Sequence, residues 1–161
     1  MNHHSQQLPL LGASTYEANS SDDYYTPSEV FETMQLRFDL DVASPPGGIA
    51  WIPADRYFTM FDDALTQQWH GRVWMNPPYS NPGPFVDRWL EHGNGCALVP
   101  MAKSRWFQRL WASDASLAIT HDIHFRFVRE GTRKGISYTV CFAAIGPLDN
   151  HEAIKRLGRV R

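Results

Sequence analysis

Short apolar runs alternate with amphipathic helical patterns along this chain of 161 residues. The predicted strand 72–75 is apolar after Arg72 and residues 96–100 are continuously apolar, which is typical of buried strands, and residues 38–43 alternate apolar with acidic side chains before turning small. Amphipathic helices are predicted at 84–91 and 104–112. Strands separated by helices indicate a largely parallel sheet, so the predicted fold is a compact α/β sandwich with helices on both faces.

Further patterns extend this fold at both ends. Thr26-Pro27-Ser28-Glu29 predicts a helix start, with the threonine as N-cap and the proline at the first position, and this helix is expected to end near Arg37. The apolar runs 117–128 and 137–145 predict two neighbouring strands, and a short basic helix is predicted around 153–157.

The predicted organisation has three parts. Residues 1–21 are polar and without periodicity, and we expect a flexible arm there. Residues 22–148 form the expected domain, and residues 149–161 form a basic C-terminal tail. Within the domain, 33 residues separate Asp41 from Trp74, which is too few for two strand–helix units, so we expect a trimmed sheet.

Composition excludes several classes of protein. A hydrophobic content of 43% with 20% charged residues excludes a wholly disordered chain. No apolar run approaches the ~20 residues that a membrane-spanning helix needs, and no secretory leader is recognisable, so we expect no membrane partner. The two cysteines lie in apolar stretches and predict reduced core thiols of a cytoplasmic protein. No ligand spacing indicates a metal site.

Charge is unevenly distributed along the chain. Residues 1–100 carry four basic and twelve acidic side chains, whereas residues 101–161 carry eleven basic and five acidic ones. The basic part is either a solvated face or a phosphate-binding surface, and its clustering favours phosphate binding. Lys103 is either an ordinary charge at a helix start or a phosphate contact. The candidate phosphate-binding residues are Lys103, Arg126, Arg129, Arg133 and Lys134.

The most informative motif is Asn76-Pro77-Pro78-Tyr79, which follows a predicted buried strand. Two prolines keep the backbone extended, so that the Asn76 amide oxygen and the Pro77 carbonyl can point together at an NH₂ group. Two such acceptors localise the lone pair of an amine that is conjugated to a flat heterocycle, so that a methyl donor can meet this lone pair. The Tyr79 ring can lie against the same heterocycle. The alternative is a Pro-Pro turn in which Tyr79 is a core aromatic.

Several other short segments stand in a specific order around this motif. Together with it they resemble the phage-type DNA N6-adenine methyltransferases, the phage Dam family, over roughly residues 23–145. The segments that carry the resemblance are Tyr25-Thr26-Pro27, Phe38–Ala43, Arg56–Thr59, Asp63-Ala64-Leu65 with Trp69, Val73–Ser80, Leu98-Val99-Pro100 and Trp106-Phe107.

The resemblance implies an S-adenosylmethionine-dependent enzyme with a Rossmann-like methyltransferase fold, encoded by a phage or prophage. Its implied reaction is methylation of the N6 amine of an adenine flipped out of duplex DNA, as in restriction–modification systems. A departure is Ser44-Pro45-Pro46-Gly47-Gly48 after the first strand, which contains no Gly-x-Gly fingerprint. A separate target-recognition domain is not expected within this length, so the loop 126–136 is expected to supply DNA specificity. A monomer is favoured.

The resemblance also implies residue roles. The positions that match the catalytic motif are Asn76, Pro77 and Tyr79. The positions that match cofactor contacts are Tyr25, Thr26 and Pro27, which pack over the cofactor, Asp41 and Ala43, near its methionine and ribose parts, and Asp63, facing its adenine.

Two alternatives stay open at this point. The same tetrad occurs in methyltransferases that act on RNA bases or on the side-chain amide of protein glutamine, and the basic C-terminal part favours nucleic acid over protein. A catalytically inactive DNA-binding module of the same fold is the other alternative. The intact tetrad argues against this inactive module.

Overall fold

The computed structural model of the chain describes residue 22 and residues 25–120, 127–129, 132–134 and 139–161. The expected arm at residues 1–21 and Arg126 lie outside the described residues. The helices of the described part are α1 (Ser28–Met34), α2 (Gly83–His92), α3 (Arg105–Ala112) and α4 (Leu148–Lys155). Its strands are β1 (Phe38–Asp41), β2 (Ala54–Tyr57), β3 (Val73–Met75), β4 (Gly95–Pro100), β5 (Ser116–Thr120), β6 (Phe127–Arg129), β7 (Thr132–Lys134), β8 (Val140–Ile145) and β9 (Gly158–Val160).

Seven strands form one mixed sheet in the order β2-β1-β3-β4-β8-β5-β9. The strands β2, β1, β3 and β4 are mutually parallel, whereas β8 runs antiparallel to both of its neighbours and β9 runs antiparallel to β5. Strands β6 and β7 form a separate antiparallel hairpin. The predicted α/β class is confirmed, and so is the pairing of the two last long strands.

Helices cover both faces of the sheet, as predicted. The first face carries α1 and α4, and its core contains Phe31, Trp74 and Phe142. The second face carries α2 and α3, and its core contains Trp89 and Leu110. Alternate residues of each central strand enter opposite cores because side chains in a strand alternate between the two faces. None of the described helices has the length and apolarity needed to cross a bilayer.

The segment between β1 and β3 is short, as expected. The single strand that it contributes is β2, an edge strand, and no helix lies between Asp41 and Trp74. Residues 63–69 form irregular turns. Helix α2, predicted at 84–91, ends at His92, and its C-cap is Gly93, whose φ of 73° is the left-handed conformation that glycine adopts without steric cost.

Helix α1 differs from its predicted bounds at both ends. Its N-cap is Pro27, with extended backbone, rather than Thr26, and no side chain caps the helix. It ends at Met34 rather than near Arg37, because Gln35 adopts left-handed backbone with φ 52° and closes the last turn through its N–H. Thr26 is consequently outside the helix and makes a different contact, described below.

The segment expected as a basic tail at 149–161 is integrated into the fold. It contains most of α4 and all of β9, which pairs with β5 at the edge of the sheet. Asn150 of α4 is 0% exposed; it accepts a hydrogen bond from Arg72 Nε at 2.6 Å and donates to the Ile145 carbonyl at 2.8 Å. The sequence signal for β9 is weak, because three-residue strands with arginine leave little apolar pattern.

Candidate active site at the carboxyl edge of the sheet

A cavity of about 350 Å³ lies at the carboxyl ends of β1 and β3. Small-molecule sites in open α/β sheets characteristically occupy this edge. Four parts of the chain enclose it: the segment before α1, the loop after β1, the loop after β2, and the motif after β3 with the start of α2. The lining residues are Asp22, Tyr25, Thr26, Asp41–Pro46, Ile49, Ile52, Thr59, Met60, Asp63–Leu65, Trp74, Asn76, Pro78 and Phe85.

The cavity brings together six of the nine residues expected to bind cofactor or catalyse. Tyr25, Thr26, Asp41, Ala43, Asp63 and Asn76 line it, whereas Pro27, Pro77 and Tyr79 do not. Residues separated by up to 51 positions in sequence thus share one site.

Strand register explains why Asp41 and Asn76 are neighbours. β1 and β3 are parallel, with Asp41 opposite Trp74. Immediately beyond, the Val42 N–H donates to the Trp74 carbonyl at 3.1 Å, so the pairing continues to the end of β1. Asn76 follows two residues after Trp74 and therefore emerges at the same edge as Asp41.

Asp41 is a buried carboxyl group, 3% exposed. Its Oδ1 accepts the Ala43 N–H at 3.1 Å. Burial raises the pKa of Asp41 to about 7, and the hydrogen bonds from the Ala43 backbone and the Ser44 side chain lower it by less. A carboxyl group with this pKa can act as an acceptor or a donor near neutral pH.

Asp39, two residues earlier on β1, has a different environment. It is exposed, and its Oδ2 accepts the Arg72 backbone N–H at 2.6 Å. Asp39 and Asp41 are two residues apart and share one side of the strand, but Asp39 lies further from the carboxyl end of β1 and does not line the cavity. Its contact is structural: it joins β1 to the residue before β3.

Asn76 contacts the segment that precedes α1. Its Nδ2 donates to Thr26 Oγ1 at 3.3 Å. A second pair of hydrogen bonds joins the same parts of the chain, because the Ser80 N–H and hydroxyl donate to the two carboxylate oxygens of Asp22 at 2.9 and 2.7 Å. The motif and the segment before α1 are thus connected at two points, although about 50 residues separate them.

Pro77 and Tyr79 are not among the residues that line the cavity. Pro77 is buried, and Tyr79 is half-buried and packs against the core of the first face. Burial is the main cause that raises the pKa of Tyr79 far above its ordinary value, so its hydroxyl stays protonated. Pro78 is the proline that lines the cavity.

The loop after β2 forms the opposite wall. Asp62 Oδ2 accepts hydrogen bonds from the Thr59 N–H at 2.7 Å and the Thr59 hydroxyl at 2.8 Å, and these bonds lower the pKa of Asp62. Asp63 has φ 49°, an uncommon conformation for a non-glycine residue, and its carbonyl accepts from the Thr66 N–H at 2.9 Å. These bonds shape the loop that places Asp63 at the cavity.

Sequence analysis did not single out the apolar part of the lining. Phe85 belongs to the first turn of α2, and Trp74 belongs to the buried strand β3; both patterns indicate core packing alone. Met60 and Leu65 lie in an irregular loop without periodicity. A signal that would have found Phe85 is its place in the first turn of the helix that follows the motif.

The predicted phosphate-binding residues lie on two separate parts of the chain. Lys103 is exposed and follows β4, the parallel neighbour of β3, so it lies at the same edge of the sheet as Asn76. Arg129, Arg133 and Lys134 belong to the hairpin of β6 and β7, where Val128 pairs with Arg133. Within the described ranges no group of three or more His, Cys, Asp or Glu side chains is arranged to hold a metal ion.

Comparison with known proteins agrees with this arrangement. Residues 13–139 match the family described as DNA N-6-adenine-methyltransferase (Dam). A protein named DNA N-6-adenine-methyltransferase from Haemophilus phage HP1 (strain HP1c1) is 34% identical over 84 residues, which cover 49% of this chain and 47% of the phage protein. The chain thus spans about half the length of that relative. With the motif, the α/β sheet and a match over most of its length, the chain belongs to the DNA N-6-adenine-methyltransferase (Dam) family.

Proposed function

We propose that this protein transfers a methyl group from S-adenosylmethionine to the N6 amine of an adenine in duplex DNA. One observation carries the proposal: Asn76, from the Asn-Pro-Pro-Tyr motif of a Dam-family chain, lines a cavity that it shares with the buried Asp41. Membership of the family supports a methyl donor and a DNA substrate.

The cavity fits the cofactor by size and by chemistry. Its volume of about 350 Å³ lies within the range of ~300–1,000 Å³ that small-molecule sites span. Carboxyl groups of Asp41 and Asp63 suit an ammonium group and ribose hydroxyls, and the apolar side chains of Leu65 and Phe85 suit a purine ring. When bound, S-adenosylmethionine supplies an electrophilic methyl group on a sulfonium centre.

Three further cofactor contacts are part of this proposal. Tyr25 and Ala43 line the cavity. Pro27 follows Tyr25 and Thr26 as the N-cap of α1 and fixes the end of the segment that lies before this helix. Ala43 has the additional role of donating its N–H to the Asp41 carboxylate. The segment before α1 would thereby form one wall over the cofactor.

Asn76 and Pro77 act on the acceptor amine in this proposal. The exocyclic amine of adenine is a poor nucleophile because its lone pair is delocalised into the ring. Hydrogen bonds from the amine to the Asn76 amide oxygen and the Pro77 carbonyl draw its hydrogens out of the ring plane and localise the lone pair. Fixed acceptors of this kind stabilise the transition state without reorganisation.

The adenine must leave the duplex for this geometry, because its N6 amine lies inside the base stack. Tyr79 follows the two prolines, and we assign to its ring the stacking of the flipped base, worth ~1–3 kcal/mol for a base on an aromatic ring. Support from the core behind Tyr79 would hold the ring in place.

DNA is held in the proposal by the basic C-terminal part of the chain. Lys103 lies at the carboxyl edge beside the motif, and the loop 126–136 carries Arg126, Arg129, Arg133 and Lys134. Phosphate contacts fix the register of a protein on the duplex. We infer a phage or prophage origin from the phage relative, and action as a monomer in the cytoplasm of the host.

Labelled S-adenosylmethionine tests the proposed function directly. The protein is incubated with it and with duplex DNA, total RNA or a glutamine-containing protein mixture, and the labelled product is digested and identified. We expect N6-methyladenine from DNA alone, and a preparation of the Asn76→Ala variant gives the background. Label in RNA or in protein glutamine, or no label above that background, would contradict the proposal.

A further inference from the structure

The contact between Asn76 and Thr26 has a consequence for the orientation of the catalytic amide. Asn76 Nδ2 donates to Thr26 Oγ1 at 3.3 Å. An amide has one donor arm and one acceptor arm, so a partner that accepts from Nδ2 directs the oxygen arm to the other side. A threonine hydroxyl can donate or accept, and in the observed contact it accepts from Nδ2 and so holds the amide in this orientation.

Orientation matters because the acceptor of the methyl group is an amine. The amine presents hydrogens, which an amide oxygen accepts. A reversed amide would present its own NH₂ hydrogens to those of the amine, so neither group would find an acceptor. The proposed chemistry therefore requires the observed orientation, in which Nδ2 of Asn76 faces Thr26.

Thr26 is itself firmly placed. It is 1% exposed, and its carbonyl accepts the Trp51 indole N–H at 2.8 Å. Pro27 follows it as the N-cap of α1, whose helix packs into the core through Val30. The bonds between Asp22 and Ser80 hold the same segment against the motif loop.

We propose that Thr26 is a positioning residue that holds the Asn76 amide with its oxygen directed at the acceptor amine. The proposal rests on the proposed function, and it gives Thr26 a role different from the cofactor contact that the resemblance implies. A positioning residue affects turnover, whereas a cofactor contact affects cofactor affinity. The two roles are therefore separable by measurement.

Thr26→Val and Thr26→Ser form the matched pair of variants. Valine has nearly the same shape as threonine but cannot accept a hydrogen bond, and serine keeps the hydroxyl. We expect Thr26→Val to lower kcat about tenfold or more with a change of less than about twofold in the Kd for S-adenosylmethionine. Thr26→Ser should keep kcat within about threefold of the wild type.

A double-mutant cycle with Asn76→Ala tests whether Thr26 acts through Asn76. In single-turnover reactions with excess enzyme, Thr26→Val should lower the rate of the Asn76→Ala variant by less than about twofold. Ser113→Ala is the control, because it removes a hydroxyl bond to the Leu110 carbonyl at the end of α3. It should leave both kcat and Kd unchanged.

Clear outcomes would overturn the role of Thr26. Weaker cofactor binding by Thr26→Val at unchanged kcat would make Thr26 a cofactor contact, and equal losses in the valine and serine variants would make it a packing residue. If Thr26→Val does not fold, Thr26→Cys replaces it. Cysteine has nearly the shape of serine but accepts hydrogen bonds only weakly, so Thr26→Cys should have a lower kcat than Thr26→Ser. An inactive wild-type protein would instead contradict the proposed function.

Discussion

At the scale of single residues, the catalytic assignment rests on Asn76. We expect Asn76→Ala to lower kcat by about 10²-fold or more, because the lost acceptor acts mainly on the transition state. The melting temperature should change little, since the side chain lies at a cavity and outside both cores. Initial rates with saturating cofactor and DNA measure the effect. Asn81→Ala is the control, because Asn81 is exposed just beyond the motif. Near-normal turnover by Asn76→Ala would show that Asn76 does not take part in the mechanism.

Asp41 makes a second prediction at this scale, about pH. Its folded-state pKa of about 7 is higher than the ordinary value of 3.8, so the folded protein binds more protons than the unfolded chain between these two values. The free energy of unfolding therefore falls as pH rises from about 4 to about 7 and loses no more through this group above that. Asp41→Asn should raise the free energy of unfolding at pH 8 by up to about 4 kcal/mol and change it little at pH 4.

Urea unfolding at both pH values measures this difference. Asp39→Asn is the matched control, because Asp39 is an exposed carboxylate on the same strand. A pH dependence of Asp41→Asn that exceeds the pH dependence of Asp39→Asn belongs to the buried carboxyl group of Asp41. An equal effect of Asp41→Asn at pH 4 and pH 8 would show that Asp41 ionises normally in the folded protein.

At the scale of elements, the buried amide of Asn150 is one of the groups that connect α4 to the sheet. Asn150 accepts from Arg72 Nε at 2.6 Å and donates to Asn94 Oδ1 at 3.0 Å and to the Ile145 carbonyl at 2.8 Å. Asn150→Ala would leave half-buried partners without hydrogen bonds, at about 1–3 kcal/mol for each group, so we expect a loss of about 2–5 kcal/mol in the free energy of unfolding. Chemical denaturation measures the loss.

Glu152→Ala on the same helix is the control for Asn150. Glu152 is exposed and pairs with Lys155 at the surface, at 2.5 Å, so its removal should change stability little. Equal effects of the two substitutions would mean that the buried amide does not connect α4 to the sheet.

At the scale of the whole molecule, the order of elements was predictable and several of their junctions were not. The continuous apolar runs of β3 and β4 and the amphipathic pattern of α2 carry strong local signals. Because β1 and β3 are parallel, Asp41 and Asn76 lie at one edge of the sheet, where both line the cavity. By contrast, β9 has only three residues, so its signal is weak.

The cavity also shows which site features local patterns miss. The bond between Thr26 and Asn76 spans 50 residues, and the local pattern favoured Thr26 as a helix cap. Phe85 was assigned to the core because helical periodicity cannot distinguish a side chain that faces a cavity from one that faces a strand. Both features depend on how separate loops meet at the sheet edge.

The division of charge between the two parts of the chain leads to the last prediction. Residues 101–161 carry eleven of the fifteen basic side chains, and three of them, Arg129, Arg133 and Lys134, belong to one hairpin. Each phosphate contact releases counterions, so the logarithm of DNA affinity should fall against the logarithm of salt concentration with a slope of about −0.9 per contact. Replacing all three residues by Ala should flatten this slope by up to about 2–3 and weaken binding to all DNA sequences alike.

Fluorescence anisotropy with labelled duplexes at several salt concentrations measures this change, and calorimetry should show unchanged affinity for S-adenosylmethionine. Removing three positive charges elsewhere, in the variant with Arg37, Arg56 and Arg88 replaced by Ala, controls for net charge, because these residues lie in the acidic part of the chain. That variant should keep its salt slope, since only charges at the interface displace counterions. An unchanged slope in the hairpin variant would exclude the hairpin from the interface, and Lys155–Arg161 would be the next basic segment to test.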